Sequence, residues 1–348
     1  MKAAILKGPR EVILKEAPIP EISDDEVLVE VKYCGICGTD LHSFETPSFF
    51  EVGTYIGHEI SGIVAEVGNK VEGWEPGDRV TVFPHYQCGE CYSCRHGFLS
   101  CCERFMVGAI GCVTDERLPG GFAKFIRVPI PHRRLYSLPE EVSFEEGALV
   151  EPLACSLHAV RMSAFRPGDP VMVLGAGTIG LGVIAFLKNA GAGLIVATEI
   201  IEKRAEVARK LGADYVFNPQ ETSNMREKVL GLTEGLGVAQ VFECSGVAQA
   251  FQSITEFLRP RGQIVLIGHI TTEVPIIPLS LQFSEFQLQA VHAYGDEFPI
   301  VIECLRKGVS PFSELITSRI KLSNIVKDGF EVLLKPNHNE IKILVAPD

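Results

Sequence analysis

Val171-Met172-Val173-Leu174-Gly175-Ala176-Gly177-Thr178-Ile179-Gly180 is the stretch from which the architecture can be read. Four apolar residues form a strand signal, G-x-G-x-x-G follows, and Thr178–Ala190 has helical length and spacing. In this setting Gly175 permits a tight turn and Gly177 lets backbone approach a pyrophosphate. Gly180 lets helix and strand pack closely, while the helix N-terminus, opened by Thr178 and Ile179, faces the anion. Glu199 ends the next apolar run, 24 residues after Gly175. A carboxylate there accepts hydrogen bonds from the adenosine ribose and repels a 2′-phosphate, which favours NAD. Arg204 is the counter-argument, since an arginine at this point can pair with the extra phosphate of NADP.

Outward from this turn the strand–helix alternation continues. Leu194–Ala197, Tyr215–Phe217, Val241–Phe242 and Ile264–Ile267 read as buried parallel strands. Ile201–Leu211, Met225–Leu232 and Val247–Leu258 read as helices, and Gly191 and Gly212 as helix stops. Phe286–Tyr294 reads as a further strand. This predicts an α/β, doubly wound sheet with right-handed crossovers. The first 150 residues have a different texture. Val27, Val29 and Val31 alternate with Leu28, Glu30 and Lys32, Ile60–Val67 and Arg79–Phe83 read as short strands, and Gly68, Gly73, Pro76 and Gly77 punctuate them. That texture predicts a β-rich, barrel-like antiparallel domain. After Tyr294 a helix over Ile300–Lys307 and a strand over Glu340–Val345 are expected.

The 348 residues suit two domains. Lys and Arg number 32 against 44 Asp and Glu, a net charge of −12, so binding to a phosphate backbone is not expected. No apolar run reaches the roughly 18–20 residues of a membrane span. Met1–Gly8 is too interrupted for a signal peptide, and a cytoplasmic setting is expected.

The eleven cysteines are an odd number, unevenly spread, which argues against a disulfide framework. Cys88-x2-Cys91-x2-Cys94-x7-Cys102 places four thiolates in one loop, as a closed structural zinc site requires. Cys101 competes with Cys102, which has the better spacing; an iron–sulfur cluster is the other reading of four cysteines. A second, mixed set comprises Cys37, read as the end of an apolar strand, His58 and Glu59 at the head of another strand, and Glu151 before Pro152. One thiolate, one imidazole and carboxylates suit an open, catalytic zinc. Cys155, four residues after Glu151, shares its face if that stretch is helical.

On Gly57-His58-Glu59, the four-cysteine loop, Gly175–Gly180 and Glu151-Pro152, the chain resembles the zinc-containing medium-chain dehydrogenases/reductases over essentially its full length, and within them the polyol, 2,3-butanediol and threonine dehydrogenase branch. The resemblance implies a GroES-like catalytic domain (1–154 and 295–348, with a structural zinc lobe at about 85–105) and a Rossmann NAD-binding domain (155–294), with the active site in the cleft. It implies two zinc ions per chain. Cys37 and His58 match the catalytic ligands, Glu59 matches a glutamate that binds zinc or exchanges with water, and Glu151 stands where other alcohol dehydrogenases carry a cysteine. Thr39 and His42 match the proton relay.

The implied reaction is NAD-dependent oxidation of a secondary alcohol or polyol to a ketone, with zinc as Lewis acid on the substrate hydroxyl. Oxidation of an amino-alcohol acid such as threonine is the second reading, and a non-catalytic zinc- and NAD-binding redox sensor a third. A homotetramer or homodimer is implied, with Phe286–Tyr294 as a candidate contact. One departure stands out. The Cys37–His58 interval is short for the polyol branch and its middle, Ser43-Phe44-Glu45-Thr46-Pro47-Ser48-Phe49-Phe50, is rich in Phe, which weakens any transfer of substrate identity.

Overall fold

The computed structural model describes residues 1–46, 49–115 and 119–348. The chain forms two units. The first comprises Met1–Glu151, Phe298–Lys307 and Ile316–Asp348, and the second Pro152–Glu297 and Gly308–Leu315. The crossings fall three residues from the expected boundaries. Gly308–Leu315, expected with the first unit, packs with the second for identifiable reasons. Phe312 packs against Phe186 with ring centroids 5.3 Å apart and planes tilted by 44°, Glu314 pairs with Lys210 at 2.9 Å, and Ser310 accepts from Asn189 at 2.7 Å.

The first unit carries strands β1 (Lys2–Gly8), β2 (Glu11–Glu16), β3 (Glu26–Gly35), β4 (Tyr55–Ile56), β5 (Glu59–Val67), β6 (Arg79–Val82), β7 (Cys112–Val113), β8 (Phe125–Pro129) and β9 (Leu135–Ser137). The second carries β10 (Pro170–Leu174), β11 (Leu194–Thr198), β12 (Tyr215–Phe217), β13 (Val238–Glu243), β14 (Leu258–Leu266) and β15 (Gln287–Ala290). Two late strands, β16 (Ile316–Lys321) and β17 (Lys342–Ala346), return to the first unit.

In the first unit β2-β1-β4-β7 form one sheet and β16-β17-β3-β5-β6-β9 another, with β8 also on β3. All ladders are antiparallel except β16–β17. The alternating valines of β3 do face a core: Val27, Val29 and Val31 join Ile60, Val64, Val80, Val82, Ile126 and Val128. β17 pairs with the end of β3, with Val345 opposite Cys34 and Leu344 opposite Gly35. Residues 342–346 are thereby held beside the segment that leads into Cys37. That segment departs from expectation. The strand ends at Gly35, and Cys37 is the N-cap of the helix Gly38–Glu45, its backbone N–H donating to the Asp40 carboxylate at 3.0 Å. Asp40 satisfies a group that a continued strand would have paired.

The second unit is a six-stranded parallel sheet in the order β12-β11-β10-β13-β14-β15, numbered by sequence 3-2-1-4-5-6. The order reverses at β10, and ligands of such sheets sit beyond the carboxyl ends of the strands at that reversal. Several sequence boundaries shift. Val247–Leu258 is not one helix but Ala248–Gln252, a 3₁₀ turn Ile254–Phe257 and the first residue of β14. Ser253 bonds back to the Ala250 carbonyl at 3.2 Å, the local competition that ends helices at serine. Only Gln287–Ala290 of Phe286–Tyr294 is strand, and it lies exposed at the sheet edge, as does Tyr215 of β12 at the other; an edge strand has one neighbour to bury against. The helix Phe144–Met162 begins with Ser143 and Glu146 bonded reciprocally and contains Pro152. No helix among the described residues is long and apolar enough to cross a membrane.

Gly111, just before β7, has φ +78°, and a Cβ there would lie 2.0 Å from the Gly57 carbonyl oxygen. Gly111→Ala should therefore force β7 away from residues 56–58, costing about 2–4 kcal/mol in a denaturant titration.

Candidate active site and metal centres

The residues singled out in the sequence fall into three clusters. The first is the turn after β10. Gly175 has φ +87°, and a Cβ on it would meet Ser245 at 2.9 Å; a Cβ on Gly180 would lie 1.9 Å from the Gly175 carbonyl oxygen. A Cβ on Gly177 would meet nothing within 4 Å, so the backbone opens onto free space at the N-terminus of the helix Thr178–Asn189. That is the form of a phosphate cradle. A cavity of about 560 Å³ lies there, lined among others by Gly175, Gly177, Glu199, Arg204, Cys244 and Ser245.

Glu199 is buried. One oxygen accepts from Ala176 N–H at 2.9 Å and the other from Ile200 and Ile201 at 2.8 and 3.0 Å. These bonds fix the carboxylate against the glycine turn. Burial draws the Arg204 guanidinium below its ordinary value, and the charge of Glu199 opposes that. The sequence reading missed Glu243 at the end of β13, whose buried carboxylate accepts from the backbone N–H of Ser245 at 2.9 Å and of Gly246 at 3.0 Å, and from the Ser245 hydroxyl. Glu243 fixes the turn on which Gly175 rests. Its position directly after an apolar strand was the available signal.

The second cluster is the cysteine loop. The ligand atoms of Cys88, Cys91, Cys94 and Cys102 all lie within 4.8 Å of one another. Cys101 is exposed and outside the set. Backbone N–H groups aim at the sulfurs: Cys91 at Cys88 (3.3 Å), Cys94 at Cys91 (3.4 Å), and Cys88 and Arg104 at Cys102 (both 3.4 Å). Such bonds stabilise thiolates. The Cys91 thiol falls to about 6 through the N–H groups of Cys94 and Glu103, whereas burial pushes Cys94 up to about 12. Four sulfurs this close fit a zinc ion.

The third cluster is the mixed set, all in the first unit. His58 is buried, with Nε2 3.3 Å from the Thr39 hydroxyl and Nδ1 3.7 Å from Asp40. Burial pulls its imidazole down, but Asp40 and Cys37 outweigh that and hold it well above the ordinary histidine value. An imidazole flanked by a carboxylate and facing a thiol is a metal-ligand arrangement in which the carboxylate fixes the ring. His42 lies three residues beyond Thr39 on the same helix and is exposed.

Glu59 is fully buried and spoken for. Both of its oxygens accept from Lys342 Nζ, at 2.6 and 2.7 Å, and Lys342 also donates to the Ile36 carbonyl at 2.8 Å. Glu151 is buried on the helix Phe144–Met162, so Cys155 does follow it by one helical turn, half-buried. Cys112, also missed from the sequence, is half-buried on β7, where burial drives its thiol up to about 12 and the charges of His58, Asp40, Glu151 and Cys37 all act on it. Among the described residues, only the four cysteines bring three or more ligand atoms within 4.8 Å; the mixed set is a looser gathering. Lys342 left no local trace, because its partner is 283 residues away.

Comparison with known proteins follows the same division. Residues 23–140 match the alcohol dehydrogenase GroES-like domain and residues 178–307 the zinc-binding dehydrogenase domain. Sorbitol dehydrogenase of Bacillus subtilis is 30% identical, covering 100% of this chain and 98% of that protein. The (R,R)-butanediol dehydrogenase of the same organism is 33% identical with 100% of both covered. The crystal structure of 2R,3R-butanediol dehydrogenase from Bacillus subtilis superposes with a TM-score of 0.89 at 33% identity, covering 100% of this chain and 99% of that one.

Burial alone would lower the Lys342 ammonium, but Glu59 outweighs it and the net value lies above the ordinary lysine range. Lys342→Met strands a buried carboxylate and should lower stability by about 3–5 kcal/mol at neutral pH. Because the folded-state value is the higher one, the difference from the parent should persist up to about pH 10.4 and shrink only as pH rises further, which denaturation at a series of pH values will show.

Proposed function

The chain belongs to the zinc-binding dehydrogenases with a GroES-like alcohol dehydrogenase domain, and from that premise we propose that it oxidises a secondary alcohol or polyol to a ketone with NAD as hydride acceptor. That it is an enzyme of the zinc-dependent alcohol and polyol dehydrogenase class follows from the family. The substrate, the choice of dinucleotide and the residue roles are our reading.

One observation carries it: a buried histidine lies beside Cys37 with a threonine hydroxyl 3.3 Å from its Nε2. We assign Cys37, His58 and Glu151 to a catalytic zinc and Cys88, Cys91, Cys94 and Cys102 to a structural one, two ions per chain. Zinc supplies Lewis acidity at the substrate hydroxyl, and the dinucleotide supplies the hydride acceptor.

The protein's own groups do the rest. The Asp40 carboxylate, 3.7 Å from Nδ1, acts on His58 by its charge. The Thr39 hydroxyl would take the substrate's proton as it hands its own on toward His42, exposed one turn later on the same helix, which would release it to water. Lys342 occupies both oxygens of Glu59, which supports Glu151 over Glu59 as the carboxylate that would hold the metal. In the second unit Gly175, Gly177, Thr178, Ile179 and Gly180 would receive the pyrophosphate. Glu199 would read the ribose, with Arg204 beside it. Oxygen Oε2 of Glu199 has one backbone donor against two on Oε1, which leaves it the capacity to accept from a ribose hydroxyl.

Self-association, as a homotetramer or homodimer, is supported by β15. This edge strand is exposed, Leu288 projects from it, and Ile277 and Phe283 nearby are 70% and 83% exposed. An open edge with apolar neighbours is suited to pairing with a second copy.

Reduction of NAD by the zinc-loaded protein over a panel of secondary alcohols, vicinal diols, polyols and L-threonine tests the reaction. Cys37→Ala should abolish turnover while leaving NAD affinity within about twofold by calorimetry, since nothing in the glycine turn depends on it; retained turnover would remove the zinc assignment. Glu199→Ala should weaken NAD about tenfold or more and NADP far less, as expected for loss of a charged hydrogen-bond partner. Equal losses would show that Glu199 does not read the ribose.

A further inference from the structure

Glu243 ends β13 opposite Leu174, the last residue of β10, where the strand order of the second unit's sheet reverses. Its side chain is fully buried, and the groups that meet it are donors. Oε1 accepts from the backbone N–H of Ser245 at 2.9 Å, from that of Gly246 at 3.0 Å and from the Ser245 hydroxyl, and Oε2 lies 3.3 Å from the same Gly246 nitrogen. The Ser245 hydroxyl in turn accepts from Val247 N–H at 3.1 Å. The chain from 244 to 247 is thus wound around a carboxylate of its own, as successive N–H groups wind around a bound anion. Burial pushes this carboxyl above its ordinary value, and the bonds from Ser245, Gly246 and Val247 oppose that.

The turn so held belongs to the dinucleotide cavity. Cys244, Ser245 and Val247 line it together with Gly175, Gly177 and Glu199. The fit to the glycine turn is close. Cys244 N–H donates to the Leu174 carbonyl at 2.9 Å, and a Cβ on Gly175 would meet Ser245 at 2.9 Å. Behind the carboxylate a Cβ on Gly268 would lie 2.4 Å from Oε2, so Glu243 has no room to swing away. A displacement of residues 244–247 therefore reaches the cradle.

We infer that Glu243 is a positioning residue of the dinucleotide site, which holds residues 244–247 against the glycine turn so that the adenosine diphosphate half of the cofactor is accepted. This role rests on the dinucleotide reading above and deepens it. Glu243 lies outside the strand–turn–helix pattern and acts through Ser245 and Gly246, not by touching the cofactor. A carboxylate suits the place because an amide of the same size has one acceptor oxygen and would set its own N–H groups against those of the turn.

Calorimetry on the full chain, with NAD and with ADP-ribose as ligands, tests this. Glu243→Gln should weaken both equally, about tenfold, and should raise the KM for NAD by the same factor with kcat within about twofold for any alcohol the parent oxidises. Ser245→Ala removes one donor to the carboxylate and the acceptor of Val247 N–H, and should weaken both ligands about threefold. The double variant should bind no more weakly than Glu243→Gln, because the two side chains act as one unit; a general loss of stability would not produce that coupling. Glu243→Gln binding both ligands as tightly as the parent, or Ser245→Ala doing so if Glu243→Gln does not fold, would overturn the assignment. So would additive losses, or a loss confined to NAD. Each of these leaves the dinucleotide reading standing, whereas a folded parent that binds neither ligand would remove both.

Discussion

The ion pair between Glu59 and Lys342 is the constraint around which the first unit is arranged. Both side chains are buried, both carboxylate oxygens are used, and the remaining ammonium donor goes to the Ile36 carbonyl. Two charges without water are tolerable only at close range with every donor and acceptor engaged. The pair therefore fixes β17 against the end of β3 and the start of β5 at the point where the chain turns toward Cys37. A Cβ on Gly35 would sit 1.9 Å from Glu59 Oε2, so the absence of a side chain at residue 35 is part of the same arrangement. The ionic contact sets where the histidine and cysteine stand, and the chemistry of the site rests on that placement.

The second unit was legible because its signals are local. A strand, three glycines and a helix occupy consecutive positions, and Glu199 is one strand further on. The cysteine loop was legible for the same reason, with four ligands inside fifteen residues. Legibility failed where the interacting partners are remote. Lys342 reads as an ordinary polar residue in Lys342-Ile343-Leu344-Val345, and only the folded sheet reveals its partner. Cys112 was one of eleven cysteines with no spacing to mark it. The return of Gly308–Leu315 to the second unit depends on contacts to Phe186, Asn189 and Lys210 that no local pattern encodes.

The misread boundary at Cys37 is instructive. An apolar run into a glycine suggests a strand that continues, yet Asp40 three residues later offers its carboxylate to the Cys37 N–H, and the chain turns helical. The turn places Thr39 on the same side as the buried histidine and carries His42 outward. The capping pattern and the functional pattern are written in the same six residues, and only the latter was read.

The position of β17 has a consequence for synthesis. The second unit's sheet uses residues 170–290 without interruption, so its strands can pair as they emerge. The first unit cannot finish its larger sheet until residues 342–346 exist, about three hundred residues after β3 was made. Through that interval the edge of β3 near Cys34 and the carboxylate of Glu59 wait without their partners, and closing so long a loop is slow. The second unit is complete at Leu315, whereas the larger sheet of the first unit, begun earliest, is closed last.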